Sequence, residues 1–328
     1  MRRGPFIVAE LSANHLGSLD RALAIVDAAI EAGADAVKLQ AWTPGTMSYD
    51  TTPLPLESPW PGRSLPELYE ECFTPWAWFP VIFDYAMSKG IIPFASAFDL
   101  EAVEMLEALR CPIHKVASNE ITDHQLIRAM ARTTKPLMIS TGCGTIQDIR
   151  AAVQVARSAG CQDTTVLKCT SAYPAPVEEA NLATMEDMEI RWGCKAGLSD
   201  HTLGIGVAVA AAALGAAVIE KHLTLERADG GPDAGFSMEP AEFKTMVAAC
   251  RQAAAAVGDV QYEEGPFPLR RSLWVAQPIK AGEEITRNNV RSARPGIGLD
   301  CRAAPKVWGK VAKRDIPAGI PLTDGELP

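Results

Sequence analysis

The sequence predicts a (β/α)8 barrel followed by a small, mostly β domain. Three observations support this prediction: short β-like segments alternate with amphipathic helical patterns, eight such repeats occur, and the pattern changes after residue 258. A barrel of this kind typically occupies about 250 residues. The chain has 328 residues and 48% hydrophobic content, which is enough for one large core and a second small one.

The eight predicted strands are short apolar runs, each of which ends in or leads into polar residues. They cover residues 6–11, 36–40, 91–96, 113–118, 136–141, 165–170, 195–200 and 217–222, and helical periodicity is strongest at 19–33, 100–110, 145–160 and 238–258. A doubly wound open sheet is the alternative. It usually has fewer repeats and often a Gly-rich phosphate turn after the first strand, which AELSANHLGS does not supply.

The domain boundaries follow from composition. We predict a barrel over residues 1–258, a linker over 259–270 that contains glycine and two prolines, and a second domain over 271–328. The second domain contains an internal sequence repeat, IKAGEEIT (279–286) and IPAGIPLT (316–323). The repeat predicts two similar hairpin-like units, each with a tight turn at its Ala-Gly pair.

Charge is distributed unevenly along the chain. The net charge is −9, but from Arg270 onwards 11 Lys/Arg face 6 Asp/Glu, so this part carries +5 and the rest −14. This asymmetry indicates a basic domain that meets an acidic partner surface or an anionic ligand. Nucleic acid is not expected, because the basic part has no dense cationic run and a single aromatic residue, Trp308, beyond residue 275.

The N-terminus and the cysteines indicate a cytoplasmic protein. The start MRRGPFIVAELS lacks the long apolar stretch of a signal peptide, and no membrane span is predicted. The eight cysteines are scattered without a CxxC pair, as expected for free thiols in a reducing compartment. A single cysteine nucleophile remains an open alternative.

Polar residues end every predicted strand. In a (β/α)8 barrel the active site lies at the carboxyl ends of the strands, so these residues form the candidate site. Strand alternation places Lys38 with Gln40, and Ser199 with His201, on one face, while Asp200 and Lys221 point away. The candidates are Glu10, Lys38, Gln40, Ser96, Lys115, Ser118, Glu120, Ser140, Ser171, Tyr173, Ser199, His201, Glu220 and His222.

Strand four does not follow this alternation. Lys115 has the opposite parity to Ser118 and Glu120. All three side chains can face the mouth of the barrel only if the chain bends after Ala117.

His201 and His222 form the candidate metal site. They end strands seven and eight, which are neighbours in a barrel, so the two imidazoles are expected side by side. Two imidazoles can hold a divalent cation such as Mn²⁺ and leave positions open for substrate oxygens. The alternative is that each histidine is a hydrogen-bonded structural residue.

The remaining polar residues indicate an anionic substrate. Lys38 and Lys115, with nearby serine hydroxyls, suit phosphate and carboxylate oxygens. Glu10, Glu120 and Asp233 are available for proton transfer or for holding hydroxyl groups, and the glycines around Asp233 suit a flexible lid. The alternative for these residues is ordinary solvation of strand ends and a plain connecting loop.

Nine ordered segments carry a family resemblance. They are AELSANHLGSLDRAL (9–23), GADAVKLQ (33–40), HKVASNE (114–120), ISTG (139–142), LKCTSAYP (167–174), GLSDHTLG (197–204), IEKH (219–222), GGPD (230–233) and VRSARPGIGL (290–299). Over essentially the whole chain they resemble the sialic acid synthase (N-acetylneuraminate synthase) family, and the C-terminal part resembles its antifreeze-like (SAF) domain. Within that family, ELSANH, LPELYEE and DAGFSMEP are most similar to the pseudaminic acid synthase branch.

The resemblance implies a reaction and a site. Phosphoenolpyruvate (PEP) would condense with an open-chain acetamido-hexose to give a nonulosonic acid and phosphate, with Mn²⁺ held by His201 and His222. Glu120 would handle a proton near PEP, and Arg294 would reach the barrel of the partner subunit in a domain-exchanged homodimer. The implied PEP ligands are Lys38, Ser96, Lys115, Ser118, Ser140 and Ser199, and the implied sugar-side residues are Glu10, Gln40, Tyr173 and Asp233. Ser171 and Glu220 are implied as further substrate-binding residues.

The departures from the family pattern fall on the sugar side. Ser171 replaces an Asn of the neuraminate type, Asn119 replaces Gly, Tyr or Phe, and the Pro-rich segment 46–64 has no assigned role. An N-acetylneuraminate or legionaminate synthase is therefore the enzymatic alternative. A metal-dependent hydrolase is a remote alternative, since five histidines are few for it, and so is a non-catalytic carbohydrate-binding protein.

Overall fold

Eight parallel strands close into a barrel in the first part of the chain. The computed structural model describes residues 4–327, so the outer ends of the two predicted domains, residues 1–3 and 328, lie outside the described residues. The barrel strands are β1 (Phe6–Glu10), β2 (Ala36–Ala41), β3 (Ile92–Ala97), β4 (His114–Val116), β5 (Leu137–Ser140), β6 (Thr164–Cys169), β7 (Lys195–Asp200) and β8 (Val218–His222). The barrel prediction is confirmed, and the open-sheet alternative is wrong, because β1 pairs with both β2 and β8.

The strand register aligns the polar strand ends. Glu10 pairs in register with Lys38 on one side and with His222 on the other. Ser96 of β3 is in register with both Gln40 and Lys115. Hydrogen-bonded pairs in parallel strands are direct neighbours, so the closed register itself brings these side chains to one end of the barrel.

Helices pack around the barrel and cover its apolar strands. Helix α1 illustrates the local rules: the Ser18 side chain accepts from the Arg21 amide at its start, and Gly33, with φ 84°, ends it in a left-handed cap. The others are α2 (Pro44–Met47), α3 (Leu65–Cys72), α4 (Trp78–Ser88), α5 (Leu100–Ala108), α6 (His124–Arg132), α7 (Ile146–Ser158), α8 (Thr184–Trp192), α9 (Gly206–Ala213) and α10 (Pro240–Val257), with α1 at Leu19–Ala32. No helix among residues 4–327 is both long enough and apolar enough to cross a membrane.

Strand β4 bends where the parity argument requires it. The strand ends at Val116, Ala117 is extended, and a 3-10 turn follows over Ser118–Glu120. Lys115, Ser118 and Glu120 consequently line one cavity. The predicted bend after Ala117 is confirmed, although the strand is shorter than residues 113–118.

The second compact unit begins at Asp259. Its regular structure is one antiparallel pair, β9 (Ser272–Val275) with β10 (Val290–Ala293), together with the short helix α11 (Ala304–Val307). In the internal sequence repeat, Gly282 and Gly319 have φ of 83° and 84°, as the predicted Ala-Gly turns require. The two copies are not separate hairpins, however, because Ile279 and Ile316 pair with each other through two backbone hydrogen bonds of 2.9 and 2.8 Å.

Gly197 of β7 supplies a test of barrel packing. A Cβ atom at this position would lie 2.5 Å from the Val218 carbonyl oxygen and 2.8 Å from a Leu167 methyl. Because a backbone atom cannot move aside cheaply, Gly197→Ala should lower the free energy of unfolding by about 1–3 kcal/mol. Gly206→Ala is the control, since a Cβ there meets no atom within 4 Å; equal unfolding free energies for the two variants in urea would contradict the packing.

Candidate active site

One cavity at the carboxyl ends of the barrel strands collects most of the predicted residues. It has a volume of about 240 Å³. The predicted residues that line it are Lys38, Gln40, Ser96, Lys115, Ser118, Glu120, Ser140, Tyr173, Ser199, His201, Glu220, His222 and Asp233. The structure therefore brings thirteen of the sixteen predicted site residues to a single surface.

The other three predicted residues lie elsewhere. Glu10 is 1% exposed and forms an ion pair with Lys38 behind the cavity wall. The Ser171 hydroxyl lies close against Gly142, where an added Cβ would be 2.2 Å from it. Arg294 belongs to the second unit, where it is exposed and lines a surface depression with Phe267 and Arg270.

Lys38 is the central charge of the cavity floor. Its ammonium group contacts the carboxylate of Glu10, lies 3.6 Å from Glu220, and donates to Ser96 over 3.1 Å. Burial lowers the pKa of Lys38, but the two carboxylates outweigh burial and leave that pKa above its ordinary value. Lys38 is therefore a cation throughout the neutral range.

The two carboxylates beside Lys38 differ in their proton affinity. Burial raises the pKa of Glu10 to about 7, in spite of Lys38. Burial acts in the same direction on Glu220, but Lys38 and Lys115 overcome it and hold the pKa of Glu220 below its ordinary value. Glu10 can thus exchange a proton near neutral pH, whereas Glu220 stays ionised.

Lys115 and Glu120 lie on the side of the cavity formed by β4. The Lys115 ammonium donates to the Ser140 hydroxyl over 2.7 Å and to the Val116 carbonyl over 2.9 Å, and burial lowers its pKa. Burial raises the pKa of Glu120 to about 7, and one of its carboxyl oxygens has no hydrogen-bond partner among the described residues. A buried carboxyl with a free oxygen is a suitable donor or acceptor of a proton.

His201 and His222 lie side by side as the sequence predicts. Their ring centroids are 5.4 Å apart. His201 Nδ1 donates to the Thr170 carbonyl over 3.0 Å, so Nε2 is the nitrogen that a metal ion could bind when the ring is neutral. Burial, reinforced by the charge of His201, holds the pKa of His222 well below its ordinary value, and His222 Nδ1 is buried with no partner in the described structure.

This histidine pair fits a divalent cation held by two imidazoles. Metal binding needs neutral imidazole, and His222 is held in that form. Within residues 4–327 no three His, Cys, Asp or Glu side chains converge as a ligand group. A cation bound here would therefore keep several coordination positions for oxygens of water or substrate.

The loop after β8 closes the cavity on the side of β1. The Asp233 carboxylate accepts from the Ser12 hydroxyl, and Ser12 also accepts from the Gln40 amide over 3.3 Å. Trp60, from the Pro-rich segment 46–64, donates to the Pro232 carbonyl over 2.8 Å. The loop that the glycines predicted as a flexible lid is thus tied to two other elements in this structure.

Aromatic side chains that were not predicted from the sequence complete the cavity. Trp42, Trp60, Phe98 and Phe236 all line it, and the Phe236 ring centroid is 4.9 Å from that of His222. Trp42 and Phe98 immediately follow β2 and β3. Their position after the polar end of a strand could therefore have been used to predict that they line the cavity. Trp60 and Phe236 reach the cavity from loops, and no periodic pattern places such residues.

Asp200 and Lys221 point away from the cavity, as strand alternation predicts. They form a buried ion pair over 2.7 Å, each with 1% of its side chain exposed, and Lys221 also donates to the Thr202 carbonyl. In this pair each buried charge has a partner of opposite sign. Its role is to join β7 to β8 behind the two histidines.

Glu120 gives a pH-dependent prediction for stability. Its ordinary pKa is 4.5 and its folded pKa is about 7, so between these values the folded barrel binds more protons than the unfolded chain. The free energy of unfolding should therefore fall as pH rises through this window, by roughly 2–4 kcal/mol for this group.

Glu120→Gln removes the ionisable group and with it this loss of unfolding free energy. The unfolding free energy of the variant minus that of the original protein should therefore be larger at pH 8 than at pH 5. Urea unfolding at the two pH values measures the difference. Glu104→Gln on the exposed face of α5 is the control. A Glu120→Gln effect that is the same at both pH values would show that the carboxyl is already ionised.

The fold and this cavity define a barrel enzyme with an additional C-terminal domain, and the comparisons assign its family. A sequence profile described as "NeuB family" matches residues 25–262, and one described as "SAF domain" matches residues 270–328. The chain belongs to the NeuB family. This agrees with the family resemblance of the motifs and confirms the predicted fold class.

Individual relatives cover the whole chain. The pseudaminic acid synthase of Helicobacter pylori is 39% identical over 100% of this chain and 99% of its own length. The N,N'-diacetyllegionaminic acid synthase of Campylobacter jejuni is 32% identical over 94% of this chain and 96% of its own. The crystal structure of the spore coat polysaccharide biosynthesis protein spsE of Bacillus subtilis is 30% identical, covers 99% of this chain and 97% of that chain, and superimposes with a TM-score of 0.68.

Proposed function

We propose that this protein joins PEP to an open-chain acetamido-hexose and releases a nonulosonic acid and phosphate, with pseudaminic acid as the product. The observation that carries the proposal is the single cavity in which two buried lysines, several serine hydroxyls and two imidazoles come together. The 39% identity to a pseudaminic acid synthase over the whole chain supports the choice of product.

The lysine side of the cavity suits PEP. Lys38 and Lys115 are both buried, and each contacts a serine hydroxyl, at 3.1 Å for Ser96 and 2.7 Å for Ser140. Cationic and hydroxyl donors fixed in this way bind phosphate and carboxylate oxygens without further reorganisation. Ser118 and Ser199 line the same cavity and would complete the set of PEP ligands.

Two carboxyl groups in and around the cavity can take up or release protons, Glu120 at its surface and Glu10 behind its wall. Carbon–carbon bond formation at C3 of PEP, water addition at C2 and phosphate loss all require proton transfers. Glu10 and Glu120 have pKa values of about 7, so each can gain or lose a proton near neutral pH. Glu120 lines the cavity with Lys115, which supports a role beside PEP, and Glu10 is linked through Ser12 to the acceptor side.

The imidazole side would hold the sugar aldehyde. His201 and His222 would bind a divalent cation, with Mn²⁺ the expected ion, and such an ion supplies Lewis-acid polarisation of a carbonyl oxygen. Tyr173 packs against His201 with a ring-centroid distance of 4.4 Å, which restricts the orientation of the imidazole. Gln40 and Asp233, joined through Ser12, offer amide and carboxylate groups to the hydroxyls of the sugar.

Arg294 would act across a homodimer. The first 269 residues carry −14 and the part from Arg270 onwards carries +5, so the basic domain of one subunit is suited to cap the acidic barrel of the other. In this arrangement Arg294 would add a cation to the partner's cavity. The eight cysteines, all within residues 4–327, are free, which supports a cytoplasmic location.

A second candidate is the same condensation with a legionaminate or neuraminate precursor as acceptor. The 32% identity to a diacetyllegionaminic acid synthase over 94% of the chain favours this alternative. Phosphate release from PEP, measured with each of the three precursor sugars and Mn²⁺, separates the two candidates. Absence of phosphate release with all three sugars would reject both.

His222→Ala tests the imidazole side. Loss of this ligand should reduce phosphate release at least about 1000-fold, since a cation held by one imidazole is poorly fixed. His124→Ala, at the exposed start of α6, is the control and should keep full activity. A folded His222→Ala protein with more than a tenth of the original rate would contradict the assignment.

Arg294→Ala tests the domain-exchanged dimer. The variant alone should be impaired, and co-expression with His222→Ala should restore activity. In a mixed dimer the intact barrel of one subunit meets the intact Arg294 of the other, so random assembly regenerates about a quarter of the sites. No restoration in an isolated mixed dimer would show that Arg294 does not act in the partner's site.

A further inference from the structure

Ser12 has a backbone conformation that serine rarely adopts. Its φ is 46°, in the left-handed region that favours glycine, and the residue is 3% exposed. Five non-glycine residues in the described part of the chain have positive φ, and of these Ser12 is the one that lines the cavity. A strained residue at a cavity wall indicates that its side chain has a function there.

Two polar groups of Ser12, its backbone amide and its hydroxyl, link three site residues. Its backbone amide donates to Glu10 over 2.9 Å, its hydroxyl donates to the Asp233 carboxylate, and the same hydroxyl accepts from the Gln40 amide over 3.3 Å. Gln40 comes from β2 and Asp233 from the loop after β8, which are separated by 193 positions in the sequence. The hydroxyl is therefore the direct connection between two elements that neighbour β1 on opposite sides.

The turn that contains Ser12 is held in place by other residues. Asn14 donates to the Leu223 carbonyl over 3.0 Å and to the Ser237 hydroxyl over 2.8 Å. His15 is 3.1 Å from the Thr74 hydroxyl. Because these contacts anchor the turn, its fold does not depend on the Ser12 hydroxyl.

We propose that Ser12 is a positioning residue whose hydroxyl orients the Asp233 carboxylate and the Gln40 amide toward the sugar acceptor. This inference rests on the proposed function, since it assigns Asp233 and Gln40 to the acceptor side. One oxygen of the Asp233 carboxylate accepts from the Ser12 hydroxyl and, over 3.4 Å, from the Ala13 amide, and one Gln40 N–H donates to Ser12. The second carboxylate oxygen and the amide carbonyl are left for hydroxyl and N–H donors of the acceptor.

Two substitutions separate positioning from structural support. Ser12→Ala and Ser12→Gly both remove the hydroxyl, so each should raise the KM for the sugar about tenfold and leave the KM for PEP within about twofold. The two variants should differ in stability, because only glycine relieves the left-handed backbone. Ser12→Gly should unfold about 2–4 °C above Ser12→Ala.

Thr134 provides the matched control. It also has positive φ, 61°, but it is exposed and precedes β5, at the end of the barrel away from the cavity. Thr134→Gly should unfold above Thr134→Ala by a similar interval, and both should keep the original KM values. An unchanged sugar KM in folded Ser12→Gly, or KM values for sugar and PEP that rise together, would overturn the proposal.

A crystal structure of Ser12→Gly gives a readout that needs no turnover. The side chains of Asp233 and Gln40 should leave their common orientation while the turn over residues 12–15 keeps its place. If both side chains stay where they are, Ser12 does not position them. A lack of phosphate release by the unaltered protein is a different result, which rejects the proposed function and leaves this crystallographic comparison to decide the role of Ser12.

Discussion

The buried ammonium group of Lys38 is the constraint around which the cavity is organised. A lone charge in a barrel core is costly, so its contacts with Glu10 and Glu220 are needed to keep it there. These partners come from β1 and β8, and β1 is in register with both β2 and β8. The register that closes the barrel therefore also brings Glu10 and Glu220 to the charge of Lys38. The same register places His222 beside Glu10.

Strand identity and strand-end chemistry could be predicted because both depend on short-range pattern. Alternation correctly grouped Lys38 with Gln40 and separated Asp200 from His201, and the parity conflict at Lys115 correctly required a bend after Ala117. Such features involve a few consecutive residues and the fixed period of a strand. The fold class and most of the cavity wall follow from them.

The features that could not be predicted depend on contacts between distant segments. Trp60 reaches the cavity through a hydrogen bond to Pro232, a partner 172 positions away, and no local pattern specifies that contact. The pairing of Ile279 with Ile316 is a second example. The sequence shows that the two segments are similar, but not that they pair with each other. The linking role of Ser12 could not be predicted either, because a left-handed backbone is visible only in the folded chain.

The two sides of the cavity differ in how much they depend on connecting segments, although Gln40 and His222 of the sugar side lie on strands. The lysines and serines assigned to PEP lie mainly on the strands β2 to β7, whereas Trp60, Tyr173, Asp233 and Phe236 lie outside the strands, in connecting segments. Connecting segments tolerate insertion and replacement far better than barrel strands do. Evolution can consequently exchange the segment 46–64 or the loop after β8 and reach a new sugar preference, while the machinery that activates the three-carbon donor is inherited unchanged.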